Sequence, residues 1–344
     1  MSRFATRRSS RASSAPGIPV GFSLVELMIA LVIGLMVTGG AVNVFLANQQ
    51  TYRANSALSD LQNGSRVAFE LLARDLRGAG LSGCNSTSGR VANVLNPSSA
   101  NWFADWANAL HGYDDSTTDP ALSALTGNGA PVAGTSSVHV LSTGSVSATV
   151  QIDNEPAAPF KLNETTTDLQ SGDIVIVCDY DHAAIMQISN YNSNNATVVH
   201  NTGNSISPGN CSKGLGYPTT CTENGNIYSY PPNSQIAKLT GHVWYIGANP
   251  VGGRSLYLLN AVNNGGSIAV TPQEMVRNVT DMQITYDQPP ATSFAKAANV
   301  TDWSVIASAR VTLSVQSTDP RAGVNAKPIK RQYAATTTLR NRVQ

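Results

Sequence analysis

The chain has 344 residues, of which 12% are charged, and its formal net charge is +1. That balance lacks the basic surplus that grips a phosphate backbone, which excludes nucleic acid as an expected partner. With 42% hydrophobic residues there is ample material for a core.

Residues 1–20 contain Arg3, Arg7, Arg8 and Arg11 and no acid. Residues 21–46 then read GFSLVELMIALVIGLMVTGGAVNVFL, a largely apolar run whose single charged residue is Glu26. A membrane-spanning helix needs about 20 apolar residues, and residues 22–47 supply them, so the segment is predicted to cross a bilayer. The basic flank stays on the cytoplasmic side, which places everything after Ala47 on the far side. A carboxylate inside lipid costs roughly 2.5–3.5 kcal/mol, which marks Glu26 as a functional residue. It falls in the first helical turn, where the helix dipole favours a negative charge, yet that dipole alone does not replace lost water. An ordinary secretory signal is cut at a small-x-small site after its apolar core, and residues 38–41 offer only a weak version. An uncleaved signal anchor accounts for the arginines and the apolar run, but not for Gly21, Phe22 and Glu26 in fixed register.

Helical periodicity continues through residues 48–77. Ala54, Leu58, Leu61, Ala68, Leu72 and Leu76 recur at three- and four-residue steps, with Arg53, Asp60, Arg66, Glu70 and Asp75 assigned to the other face. Gly78-Ala79-Gly80 ends the pattern. A continuous helix from Leu24 to Arg77 would be roughly 80 Å long, its first half bare and its second half lying on a head. Gly34, Gly39, Gly40 and Gly64 each cost about 1 kcal/mol relative to alanine in such a helix. Gly39-Gly40 is either a place for local melting or a close-packing surface in lipid.

From Leu81 onward, strand-like runs alternate with Gly, Asn, Ser and Pro clusters. They fall at 138–141, 148–152, 173–178, 184–188, 196–199, 239–246, 255–259, 282–286, 309–315 and 332–339. Residues 310–315 alternate strictly, as a strand with one face on the core requires. The expected fold is therefore α+β, a long helix packed in its second half against a mainly antiparallel sheet.

The four cysteines, Cys84, Cys178, Cys211 and Cys221, suit disulfides in an oxidising compartment. Cys211 and Cys221 bracket a short loop and are expected to pair, leaving Cys84 for Cys178, although three connectivities are open. Without a C-x-x-C or nearby histidines, no metal site is expected. Other candidate chemistry is thin. Asp179-Tyr180-Asp181-His182 is a ligand or acid/base cluster, or a strand-to-strand turn, and the turn is favoured. Asp114, Asp115 and Asp119 lack EF-hand spacing and are read as a solvated turn. Trp102, Phe103 and Trp106 are either an exposed patch or core plugs, with the core favoured. His111, His139, His182, His200 and His242 show no repeat spacing, and there is no P-loop, G-x-S-x-G elbow or zinc-protease helix. No enzyme and no cofactor are expected.

The run Gly21-Phe22-Ser23-Leu24-Val25-Glu26-Leu27 resembles the processing site of type IV prepilins. Further along, Arg74-Asp75-Leu76-Arg77 with Gly80 and Cys84, residues 172–177, Arg254-Ser255-Leu256-Tyr257, residues 279–286 and Thr338-Leu339-Arg340-Asn341-Arg342 resemble the ordered landmarks of PilW-family minor pilins. Residues 89–131 and 201–232 depart from that pattern. The resemblance implies a prepilin leader over 1–21, a transmembrane helix over 22–47, its amphipathic extension over 48–80 and a periplasmic β-rich head over 81–344. It also implies that prepilin peptidase cuts between Gly21 and Phe22 and methylates the Phe22 amine. Glu26 would then set subunit register by pairing with that amine on a neighbour. The implied partners are other minor pilins, the major pilin, the inner-membrane assembly platform and the lipid bilayer, in a priming or tip complex of a type IV pilus. Two other roles share these features, a minor pseudopilin of a type II secretion system and a pilus-associated adhesin.

Overall fold

The computed structural model describes residues 21–81, 90–96, 102–155, 157–203 and 205–339. Residues 1–20 of the expected leader over 1–21, Cys84 and residues 340–342 of the C-terminal landmark lie outside them. The chain divides into two compact units, Met1–Arg53 and Ala54–Gln344. One helix, α1 (Leu24–Gly78), contributes to both. In the first unit every described residue from Leu24 to Tyr52 is exposed, and Gly34, Gly39 and Gly40 all remain helical. Thr38 returns its hydroxyl to the carbonyl of Gly34, and Thr51 does the same to Ala47 at 2.9 Å.

In the second unit, α1 buries Ala57, Leu61, Ser65, Ala68, Leu72, Asp75 and Leu76. Leu61, Ala68, Leu72 and Leu76 are buried as the periodicity predicts, but Ala54 and Leu58 are only half-buried and Ala57 is buried instead. Asp75, assigned above to the polar face, is buried. α1 stops at Gly78, and Gly80 takes φ +73°, a left-handed conformation that glycine adopts without a Cβ clash. The Gly80 amide then donates to Leu141 O at 2.9 Å, joining the helix end to the sheet.

The strands are β1 (Val91–Asn93), β2 (Leu110–Tyr113), β3 (Ser137–Asp153), β4 (Pro159–Leu162), β5 (Ile174–Cys178), β6 (Ala183–Gln187), β7 (Asn190–Asn192) and β8 (Thr197–Val199). They continue as β9 (Gln235–Ala248), β10 (Arg254–Asn264), β11 (Ser267–Arg277), β12 (Val279–Asp287), β13 (Ala295–Lys296), β14 (Ser308–Gln316) and β15 (Lys330–Thr338). The expected single sheet is two. One runs β1-β6-β5-β9-β3-β4-β8-β7, with β10 and β11 branching from β9 and β2 from β3, and the other runs β13-β12-β14-β15. The pairings are antiparallel except for β1 with β6. Residues 138–141 and 148–152, read as separate strands, belong to one β3 whose register shifts against β9 near Val146. β11 escaped the sequence reading because it is an edge strand carrying Pro272, which a central strand would not tolerate.

Alternation explains the layers. On β9, Trp244 and Ile246 face one way, into a core shared with Leu61, Leu72 and Leu76 of α1, Met282 and Ile284 of β12, and Val311 and Leu313 of β14. Val243 and Tyr245 face the other way, onto Leu122, Tyr257 and Leu259. On β5, Val175 and Val177 enter one cluster while Ile174 and Ile176 enter another, so this strand is buried on both faces. Each fully buried leucine on α1 stabilises the helix–sheet contact by about 1.5–3 kcal/mol.

Candidate functional site

The start of α1 is organised by its own sequence. The Ser23 amide donates to Glu26 Oε2 at 3.0 Å, and the Glu26 amide donates to Ser23 Oγ at 3.2 Å. This is a reciprocal capping box, which satisfies two of the amide donors that a helix start leaves unpaired. The signal for it in the sequence is the Ser-x-x-Glu spacing of Ser23 and Glu26. Glu26 Oε1 has no partner among the described residues. Phe22, just ahead of the box, is 88% exposed. Leu27, Ile29, Leu31, Ile33, Leu35 and Phe45 behind it are all exposed, with no part of the apolar window buried. A helix of this length and composition is capable of crossing a membrane.

At its other end α1 carries Asp75, 8% exposed, into the head. Its Oδ2 accepts from His242 Nδ1 at 2.8 Å and from Trp244 Nε1 at 2.9 Å, both on β9, while Arg74 Nε lies 3.5 Å from Oδ1. An ionised carboxylate only accepts, so His242 carries its proton on Nδ1 here. Burial pushes the Asp75 carboxyl up, but the His242 hydrogen bond and charge, the Trp244 N–H and Arg74 outweigh it and hold the group below its ordinary value. The resulting triad of Asp75, His242 and Trp244 is a polar latch at the edge of a mainly apolar interface. Asp75 lies three residues after Leu72 and seven after Ala68, so helical stepping alone would have placed it on the buried stripe.

The remaining candidates take structural work. Cys211 and Cys221 form a disulfide with Cα atoms 5.0 Å apart. Cys178 is also disulfide-bonded, while Cys84, the partner expected for it, lies outside the described residues. The 179–182 segment is the β5–β6 turn. Asp179 Oδ1 accepts from the amides of Asp181 and His182, its Oδ2 accepts from the Tyr228 hydroxyl, and Asp181 pairs with Arg90 at 2.9 Å. Asp114 accepts from the amides of Ala297 and Ala298, and Asp115 from that of Thr117. Asp119 is not solvated as expected. It is fully buried, bonded to His139 Nε2 at 2.8 Å and to Ser137 Oγ at 2.6 Å. Ser137 donates to the carboxylate and not to the imidazole, so this Ser, His and Asp set does not activate a nucleophile. Phe103 and Trp106 pack against one core cluster and Trp102 against another. Among the described residues no three His, Cys, Asp or Glu side chains converge to hold a metal. A cleft of about 390 Å³ opens beside β9, lined by Lys238, Thr240 and His242 together with Phe103, Ile174 and Leu239, and the Lys238–Asp173 ion pair of 2.9 Å closes one wall.

These features define an α+β protein with a membrane-capable leading helix and a head built for packing. Residues 243–342 match the family described as Type IV Pilus-assembly protein W. The matched segment is 100 of the 344 residues and runs from the middle of β9 through β15, so it includes Trp244 of the latch and the whole second sheet. It supports placing this chain among PilW-family pilin-like proteins, and so a part in type IV pilus assembly. No curated protein and no solved structure matches the chain.

Proposed function

We propose that this chain is a minor pilin, processed by prepilin peptidase between Gly21 and Phe22 and incorporated into a priming or tip complex of a type IV pilus. The observation that carries the reading is the register of Gly21, Phe22 and Glu26 at the mouth of an exposed apolar helix, joined to the family match over 243–342. Before assembly the helix resides in the inner membrane with the head in the periplasm, and afterwards the subunit is part of the pilus. The trimmed Phe22 amine, which the same peptidase methylates, meets Glu26 of a neighbouring subunit. In this role Oε2 holds the capping box within the chain while Oε1 is left for the neighbour's amine, so both contacts form at once. Apolar contact among sister helices supplies the main interface with other minor pilins and the major pilin, and the head supplies specificity at the assembly platform.

Two measurements test the reading. Sequencing of the mature product gives Phe22 as the first residue, and any other start overturns the proposal. Glu26→Ala leaves insertion and leader removal intact while reducing incorporation, whereas normal piliation with that variant as the sole copy removes the register role.

A further inference from the structure

Among the described residues the largest group of unpaired buried polar atoms lies away from the helix. Eight buried side-chain atoms among the described residues have no hydrogen-bond partner, and six of them belong to Asp153, Glu155, His200 and Tyr230. Native interiors pair nearly all such groups, so their concentration in one place calls for a physical reason. The Glu155 and His200 side chains are completely buried, with Glu155 Oε1 3.7 Å from His200 Nε2, too long for a hydrogen bond. Asp153 ends β3, where its Oδ2 accepts from the Tyr230 amide at 2.7 Å. His200 follows β8, its amide donating to Ala158 O at 3.1 Å and its ring 4.9 Å from that of Phe160 on β4. Ala158, whose carbonyl accepts from the His200 amide, is held at φ +64°, a conformation that costs energy for a residue with a Cβ.

Among the described residues no lysine or arginine is paired with a member of the cluster. From β3 comes Asp153, from the end of β8 His200, and from the 228–230 segment Tyr230, backed by Tyr228 and the carboxylate of Asp179. The charge on β4, Lys161, is turned outward and bonds the carbonyl of Asn195. Arg90 is committed to Asp181. Among the described residues the one ion-pair partner near Glu155 is His200, and no set of three metal ligands converges there. Two acids side by side in a buried site without a counter-charge do not both ionise.

We propose that Asp153, Glu155, His200 and Tyr230 form a proton-binding site, loaded on Glu155 when β4, β8 and β7 are packed on the head and emptied as that layer loosens in alkali. In the strand network the layer joins the body by one pairing, the end of β3 with β4, which is interrupted by a register shift between Val150 and Ile152, and Phe160, Leu162 and Val198 pack with Val175, Val177 and Ile236 in the apolar cluster that must part when the layer opens. Burial, with Asp153's charge adding to it, pushes the Glu155 carboxyl up to about 8. Burial pushes Asp153 up to about 6 and holds His200 down to about 3, so the imidazole is neutral and cannot serve as the counter-ion. Below about pH 8 Glu155 is a neutral acid. Above it a carboxylate is stranded in an apolar layer, and opening of that layer to water relieves the cost. The inference does not depend on the pilus reading, though a head exposed outside the inner membrane would carry this response to the medium.

The test is hydrogen exchange by mass spectrometry on the full chain in zwitterionic detergent micelles. Protection factors corrected for the intrinsic pH dependence are followed from about pH 6 to about pH 9. Peptides over 157–162 and 190–200 are expected to lose at least about tenfold in protection, while β12 and β14 hold steady and Glu155→Gln makes the first set insensitive to pH. A uniform response of the whole head, a response that survives in Glu155→Gln, or one that is abolished by chelator overturns the proposal. Difference infrared spectroscopy of the unmodified chain needs no variant to fold. It should show a protonated carboxyl band that vanishes as pH rises through about 8, and absence of that band at neutral pH also overturns the site.

Discussion

Two buried carboxyl sites in the same head are held in opposite states. Asp75 enters the interface between α1 and β9 and meets an imidazole, an indole N–H and a nearby guanidinium. Glu155 enters the layer formed by β3, β4 and β8 and meets another acid and a neutral imidazole. Burial acts on both in the same direction, towards the protonated form, and the partners decide the outcome. In the first case they reverse it and in the second they reinforce it. A buried acid therefore reports on its neighbours, and each site should respond to pH and mutation in its own way.

The largest effect is expected at the latch. Asp75→Ala strands the His242 and Trp244 donors in an apolar contact and should destabilise the head by about 3 kcal/mol, read as a shift in the denaturation midpoint. Because the Asp75 carboxyl is depressed in the folded state, its contribution is present above its unfolded value near 3.8 and is lost as pH falls through the lower folded value. The unmodified head should therefore lose stability in acid, and Asp75→Ala should show a flatter acid limb.

Glu155 should behave in the reverse sense. Its folded value is raised, so its contribution is present below the unfolded value near 4.5 and is lost as pH rises through about 8. Melting at about pH 9 should show Glu155→Gln more stable than the unmodified chain by on the order of 2 kcal/mol, allowing for solvent screening, with little difference at about pH 5. Equal alkaline limbs would place the two acids in one class and remove the contrast. His200 contributes on the acid side, since an imidazole depressed to about 3 favours the fold above 6.5 and disfavours it as pH falls below that. His200→Phe removes two unpaired nitrogens while keeping a ring against Phe160, and should be neutral or stabilising by about 1 kcal/mol at neutral pH. A loss of several kcal/mol would mean that the imidazole has a partner.

The contrast also marks where the sequence was readable. The apolar helix, its amphipathic continuation and the alternating strands β12 and β14 follow from periodicity, because one residue's neighbours in sequence settle which face it shows. Asp75 defeats a reading by residue type, since its charge points to the wet face while its spacing sets it with Leu72 and Leu76. Glu155 carries no local signal. Its state depends on Asp153, His200 and Tyr230, which the topology gathers from three separated segments, and composition does not encode that meeting. The split of the head into two sheets was hidden for the same reason, since pairing partners such as β3 and β9 lie about a hundred residues apart.

Glu26 supplies a third and exposed case, with the smallest expected effect. Its capping box with Ser23 is worth about 1 kcal/mol at most positions of this kind, so Ser23→Ala should speed exchange of the first-turn amides about fivefold and leave the head's melting unchanged. Glu26→Gln keeps an acceptor for the Ser23 amide and removes only the charge, so the helix start should stay closed in that variant. Measured together, the pair separates two roles for one side chain. If Glu26→Gln impairs incorporation while Ser23→Ala does not, the charge serves a neighbour, as an intersubunit register contact demands. If Ser23→Ala impairs incorporation as severely as Glu26→Gln, closing its own helix is what the acid does, and the exposed carboxylate joins Asp75 as a residue whose partners lie within its own chain.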